Sequence, residues 1–248
     1  MDQIIGNLIV RLEVIDSTNN YAKQQIRENK LAEGTVFLTY EQTSGRGQQK
    51  NVWESEPRQN LLFSIVLCPD FVELRRQFQL SKIISLGIYN AINKYVSGVK
   101  IKWPNDIYVG DKKIAGILIE NSFSGPALDV TVVGIGLNLN QTEFPPDLPN
   151  PISMLQLTGV EHRPEIVLRE LIVSIQMRYL QLKFGLRDKV SNEYLNSLYR
   201  FNVTSRFSDS DGIFNAKIIG IHSTGELILE TEQKQQKYYA FKEVSYEI

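Results

Sequence analysis

Apolar and polar positions alternate with several different periods along the chain, and each period predicts an element. The run Leu8 to Leu12 is short and apolar, as a strand would be. Ser17, Thr18 and Asn19 follow, polar residues suited to capping a helix that runs about a dozen residues to near Asn29. Thr35 to Tyr40 is rich in β-formers and predicts a second strand, followed by a polar stretch with glycines from Glu41 to Asn60. Leu61 to Leu67 is continuously apolar, the pattern of a strand buried on both faces. From about Phe71 to Val96 the period becomes helical, with Phe78, Ile83, Ile84, Ile88, Ala91, Ile92 and Tyr95 on one face and Gly98 as the stop. Three strands are then expected, at Val99 to Trp103, Ile114 to Glu120 and Leu128 to Val133, with a Gly110-to-Lys113 turn before the second. Pro145 to Pro151 holds four prolines and reads as a rigid loop. Helices are expected at Glu165 to Phe184 and about Ser191 to Tyr199.

Beyond about Arg200 the pattern changes to short β-runs, Asn215 to Ile221, Glu226 to Thr231 and Lys237 to Phe241, split by Asp211-Gly212 and Thr224-Gly225 turns. A small β-barrel appended to a larger domain of mixed helices and strands is the expected organisation, with the division at residues 1–199 and 200–248.

Composition narrows the class of protein. The chain has 248 residues, 42% of them hydrophobic and 22% charged, as expected for a soluble globular protein. A formal net charge of -1 provides no global basic field, so no nucleic-acid partner is expected. The one cysteine, Cys68, reads as a buried core thiol in a reducing compartment. No signal pattern and no membrane-spanning run are visible, so a cytoplasmic enzyme without a membrane partner is expected.

Four segments carry candidate chemistry. Gln42-Thr43-Ser44-Gly45-Arg46-Gly47 sets a bidentate anion binder between two glycines, and lacks the Gly-Lys-Ser/Thr of a Walker loop. The same string suits a surface loop with a solvated arginine. Lys102-Trp103-Pro104-Asn105-Asp106 holds a cation, an amide and a carboxylate together at a strand end, a mixture that phosphate chemistry requires. It also reads as an Asn-Asp turn with Trp103 in the core. Lys112-Lys113-Ile114-Ala115-Gly116-Ile117-Leu118-Ile119-Glu120 leads from two cations into a buried strand whose small residues, Ala115 and Gly116, would let a ligand approach. A hairpin with solvated lysines has the same pattern. Gly134-Ile135-Gly136-Leu137-Asn138 lacks the third glycine and the helix of a dinucleotide fingerprint. Its glycines are expected to leave room for a flat ligand, with Asn138 bonding a base; the plain alternative is a glycine bulge.

Other constellations are missing or weak. His162 and His222 match no zinc spacing, and no resident metal is expected. Asp209, Asp211 and Gly212 read as a hairpin turn, since the later glutamate of a calcium loop is absent. No Gly-x-Ser-x-Gly elbow occurs.

Taken in order, Ser17-Thr18-Asn19, Gln42-x-x-Gly45-Arg46-Gly47, Trp53, Lys102-Trp103-Pro104-Asn105-Asp106, Lys113-x-Ala115-Gly116-Ile117-Leu118 and Gly134-x-Gly136-x-Asn138 resemble the biotin–protein ligase family. The resemblance is strong over about residues 10 to 140 and much less specific in the C-terminal β segment. It implies an α+β fold of the class II synthetase–biotin ligase type, a mixed and mostly antiparallel sheet flanked by helices, with a small C-terminal SH3-like domain. It also implies two steps. Biotin and MgATP give biotinyl-5′-adenylate and pyrophosphate, and the adenylate then acylates a lysine of a biotin carboxyl carrier domain. On this resemblance Arg46, Lys102, Asp106 and Lys113 are the catalytic candidates. Ser17, Thr18, Asn19, Gln42, Gly45, Arg46, Gly47, Gln48, Lys113, Gly116, Gly134 and Gly136 would bind biotin. Trp53, Asn105 and Asn138 would bind the nucleotide. Arg46 and Lys113 would lie against the biotin carboxylate and the α-phosphate, and Asp106 would take a proton from the incoming lysine. A homodimer is compatible with the family.

The chain departs from the family's pattern at Gln48-Gln49-Lys50-Asn51, where members carry a second arginine and then a glycine. Fewer anion contacts and weaker adenylate retention are expected. The first strand begins by about Leu8, which leaves no room for a winged-helix domain, so operator binding is not expected. Two rival readings are a ligase of the same fold for lipoate or octanoate, and a regulator that binds biotin without catalysis. Pyrophosphate release with each acid separates them.

Overall fold

The computed structural model describes residues 3–48, 51–125 and 127–247. Seven strands form one sheet: β1 (Ile9–Ile15), β2 (Val36–Gln42), β3 (Leu61–Leu67), β4 (Val99–Lys102), β5 (Asp106–Val109), β6 (Lys112–Ser124) and β7 (Ala127–Leu137). Their spatial order is β1-β2-β3-β7-β6-β5-β4. Only β1 and β2 run parallel; the other pairs are antiparallel.

All seven residues of β3 are buried, as its unbroken apolar run predicts. The period-2 pleat sends its residues to opposite faces. Leu61, Phe63, Ile65 and Leu67 join the main core, whereas Val66 packs with Phe37, Val132 and Ala22 of α1 (Thr18–Glu28). The main-core face is covered by α2 (Phe78–Ile92) and α4 (Pro164–Lys183). These two helices cross closely at Gly87, where a Cβ would come within 2.7 Å of Ile175 Cγ1. The shorter helices are α3 (Met154–Thr158) and α5 (Arg187–Asn196).

Four expectations need correction. The helix expected from Phe71 begins at Phe78, because the exposed Glu73, Leu74 and Arg75 precede it in a single 3-10 turn at Leu74–Arg76. Helix α2 also buries Lys82, Ser85 and Leu86, so its apolar stripe is wider than one face. Strand β5 was hidden in what reads as a turn, since four residues are too few to show a period. Cys68 sits at the exit of β3 and is half-buried rather than fully enclosed. Burial, and then the carboxylates of Glu33, Asp129 and Asp70, push its thiol pKa up.

A second, antiparallel sheet holds β8 (Ser205–Asp209), β9 (Gly212–Ile221), β10 (Leu227–Thr231), β11 (Gln236–Tyr239) and β12 (Ser245–Tyr246), in the order β11-β10-β9-β8-β12. Trp103 fastens it to the first sheet: its indole Nε1 donates to Gly225 O at 2.9 Å, and its ring meets Phe241 edge-on. No helix among the described residues is long and apolar enough to cross a membrane.

Candidate active site

The strand registers decide what the cavity floor is made of. Gly116 of β6 lies opposite Gly136 of β7, and Leu62 of β3 opposite the same Gly136. One step along, Leu118 and Ser64 flank Gly134. The site-facing side of the sheet therefore carries a patch without side chains, bordered by α1. Ala115 points the other way and is buried in the main core, so of the two small residues expected to admit a ligand only Gly116 faces the cavity.

The protein's own side chains rest on these glycines. A Cβ on Gly136 would approach Trp53 Cζ2 and Nε1 to 2.7 Å, and one on Gly116 would approach Trp53 Cζ3 to 2.8 Å. The indole thus lies on the two glycines, with Lys113 Nζ 5.7 Å from the ring centre. A Cβ on Gly134 would collide with Asn19 Oδ1 and reach 2.9 Å from Asn19 Cγ. So Gly134 makes room for Asn19, not for a flat ligand as its sequence suggested.

A buried polar network lies beneath. Asn19 is 2% exposed, and its Oδ1 accepts from Ser64 Oγ at 2.6 Å. Ser64 Oγ also lies 2.8 Å from Thr18 Oγ1. Thr18 donates its backbone N–H to Gln42 Oε1 at 2.8 Å, which fixes the Gln42 amide. Buried polar groups so joined hold one arrangement, because an unmade bond there is expensive.

Two carboxylates organise the cations. Glu120 accepts from Lys23 Nζ at 2.8 Å, from Asn19 Nδ2 at 2.8 Å and from both terminal nitrogens of Arg46 at 3.0 and 3.2 Å. Burial works against its ionisation, but the hydrogen bonds from Lys23, Asn19 and Arg46 outweigh this and keep its pKa below the ordinary value. Asp106 pairs with Lys113, Oδ2 to Nζ, at 2.8 Å. The sequence set Arg46 and Lys113 against one pair of reacting anions. In the structure they are held by different carboxylates, Arg46 by Glu120 of β6 and Lys113 by Asp106 of β5.

Lys102 lies between two rings, 4.8 Å from the centre of Tyr108 and 5.0 Å from that of Tyr246, and donates to Tyr108 Oη at 3.2 Å. Burial lowers its amine pKa, while the nearby Asp106 charge opposes the shift. Asn105 and Asn138 use their amide nitrogens on backbone carbonyls: Asn105 on Ile117 at 2.6 Å, Asn138 on Ile152 at 3.1 Å. Both therefore brace the backbone where base recognition had been expected of Asn138.

These groups line one cavity of about 830 Å³, within the usual range for ligand sites. Every candidate residue from the sequence lines it except Gly45, which is buried where a Cβ would strike the Trp53 carbonyl. Gln48 and Asn51 line it as well; Gln49 and Lys50, where the family's pattern is broken, lie outside the described residues. Sequence reasoning missed two walls. One is Phe144, Leu148, Pro149 and Pro151 of the proline loop, which also pairs with the backbone of Lys113. The other is Phe241, Val244, Ser245 and Tyr246 from the C-terminal sheet. It missed Glu120 too, whose signal was a charge ending an apolar strand, and Ser64, a hydroxyl inside an apolar run.

Known proteins resemble the chain over the same region and beyond. Residues 12–138 match the Biotin/lipoate A/B protein ligase family. The biotin–[acetyl-CoA-carboxylase] ligase of Paracoccus denitrificans is 32% identical over 229 residues, covering 86% of this chain and 90% of that protein. The bifunctional ligase/repressor BirA of Bacillus subtilis is 28% identical, covering 96% of this chain and 74% of that protein. Among solved structures, the biotin protein ligase of Aquifex aeolicus in complex with biotin and ATP superposes with a TM-score of 0.80 at 25% identity, covering 96% of this chain and 98% of that one.

Proposed function

Because the chain belongs to the Biotin/lipoate A/B protein ligase family, we propose that it is an ATP-dependent biotin–protein ligase. The observation that carries the reading is the cavity itself: a glycine floor under Trp53, with Lys102, Asp106 and Lys113 gathered on the β4–β5 side and Thr18, Gln42 and Ser17 on the α1 side. Biotin's carboxylate attacks the α-phosphate of ATP, forming the acyl-phosphate anhydride and releasing pyrophosphate. A lysine amine of a carrier protein then attacks the acyl carbon, the amide forms, AMP leaves, and the amine's proton must be accepted.

The residues divide along those steps. Thr18, Gln42 and Ser17 present short donors and acceptors to the ureido ring of biotin. Lys113 and Lys102 bring positive charge to the carboxylate and phosphates, offsetting the repulsion between two anions that must meet; one such group contributes about 3–4 kcal/mol. Asp106, 2.8 Å from Lys113, accepts the proton of the attacking lysine. Arg46 is already committed to Glu120 and Asn20, so its part is to hold the loop rather than to bind an anion directly. No covalent enzyme intermediate is required, because the adenylate is itself activated.

Magnesium is proposed to arrive on the ATP phosphates.

The test is pyrophosphate release from ATP with biotin, with lipoate and with no acid, followed by the mass of an added carrier domain. Release with biotin alone and a biotinylated carrier are expected. Release with lipoate in preference to biotin would move the substrate within the family. No release with either acid would remove the catalytic reading.

A further inference from the structure

Glu120 closes the Lys112-to-Glu120 segment of the sequence but is given no role there, and it is not a substrate contact in the reading above. Its carboxylate nevertheless draws donors from two places: Asn19 and Lys23 on α1, and Arg46 on the loop after β2. Arg46 adds a third tie, donating to Asn20 Oδ1 at 2.7 Å. Three guanidinium hydrogen bonds are therefore spent inside the protein, which fixes the side chain's direction.

What Arg46 fixes is larger than itself. Its backbone bridges Val52, the Trp53 N–H donates to Gly45 O at 3.1 Å, and the Gly47 N–H donates to Asn51 O at 2.6 Å. The Gly45-Arg46-Gly47 arm and Trp53 thus form one unit, and Trp53 is the group resting on Gly116 and Gly136. The arm has glycines on both sides of Arg46, and the ion pair is the side-chain tie that joins it to β6. The side chains of Arg46 and Glu120 are 36% and 23% exposed, and a pair so open to solvent adds little to global stability. Its effect is local.

We propose that Glu120 is a positioning residue for the ligase reaction, a clasp that holds Arg46, and through it the Gly45-Arg46-Gly47 arm and Trp53, in place against the bound acyl-adenylate. This rests on the ligase reading above.

Glu120→Gln keeps the shape and removes the charge. In the ligand-free protein it should speed amide exchange at Gly47 and Trp53 while leaving the β6–β7 ladder unchanged. With ligand, preformed biotinyl-adenylate should escape about tenfold faster, the effect of one charge-assisted contact. The KM for biotin should rise with little change in kcat. If the pair acts as a unit, Arg46→Gln combined with Glu120→Gln should leak no faster than either single variant. Unchanged exchange at Gly47 and Trp53, unchanged adenylate escape, or additive effects in the double variant would each overturn the clasp. The two readings fail differently. Absent pyrophosphate release by the unmodified protein defeats the ligase assignment, and the ligand-free exchange result still decides the clasp.

Discussion

Gly134→Ala should be the most informative small change in the site, because the structure fixes both its sign and its size. The backbone at Gly134 does not have a left-handed φ, so alanine is permitted there and would by itself stabilise by about 0.4–1 kcal/mol through the unfolded chain. The added Cβ, however, falls on Asn19 Oδ1. Asn19 has nowhere to go: it is 2% exposed, accepts from Ser64 and donates to Glu120 and to the carbonyl of Leu118. Overpacking of this kind costs about 1–3 kcal/mol. Orphaning one of the buried polar partners adds about 1–3 kcal/mol. A net loss of about 2–4 kcal/mol follows, which for a chain of this size lowers the melting midpoint by roughly 5–15 °C. Urea unfolding followed by circular dichroism gives the free energy directly. The cause is checked in an Asn19→Ala background, where the same glycine change should cost less than about 1 kcal/mol because the obstructing atoms are gone. Gly116→Ala is the contrast. Its Cβ meets Trp53 Cζ3 at 2.8 Å and Lys113 Cε at 3.3 Å, both far ends of side chains that can shift, so stability should hold while biotin affinity falls. A Gly134→Ala protein within about 0.5 kcal/mol of the parent, or a cost that persists without Asn19, would refute the reasoning.

Three further outcomes are expected. Lys113→Ala should slow pyrophosphate release strongly, whereas Asp106→Asn should let adenylate form and slow transfer to the carrier by about 10²–10⁴-fold; loss of adenylation first in the Asp106 variant would make Asp106 a holder of Lys113 instead of a base. Tyr246→Ala removes one of the rings enclosing Lys102 and should raise the KM for ATP several-fold without changing that for biotin, and equal shifts in both would count against it. Lys82 is 5% exposed and burial lowers its pKa, with Ser191 Oγ as its hydrogen-bond partner at 3.0 Å. Below its folded pKa it is charged in both states and the folded protein bears the desolvation cost. As pH rises from that value towards the ordinary lysine pKa, the folded state releases its proton first and stability increases. Lys82→Met should therefore be more stable than the parent at neutral pH, with the gap closing at alkaline pH; a constant gap in denaturation experiments across that range would exclude this cause.

Local patterning was enough for most of the longer elements and for much of the cavity's composition. The apolar run of β3, the helical period of α4 and the Asp211-Gly212 turn depend on neighbours a few residues away, and such signals survive in a linear string. Of the candidate residues named between Ser17 and Asn138, all but Gly45 line the cavity. Even a missed element left a local trace: α3 begins at Ser153 with a capping box to Gln156 and ends at Gly159 in a left-handed conformation.

What the residues do with one another was decided only by the tertiary structure. Arg46 reads as an anion binder until β6 brings Glu120 to it across 74 positions of sequence. Gly134 and Gly136 look equivalent until the pleat and register set one beneath Asn19 and the other beneath Trp53. The C-terminal sheet reads as an appendage, yet its Tyr246 encloses Lys102. The reason is physical: a side chain's role depends on which opposite charge, ring or void lies within a few ångströms of it. Those partners are chosen by strand register and helix packing, which a one-dimensional period does not encode.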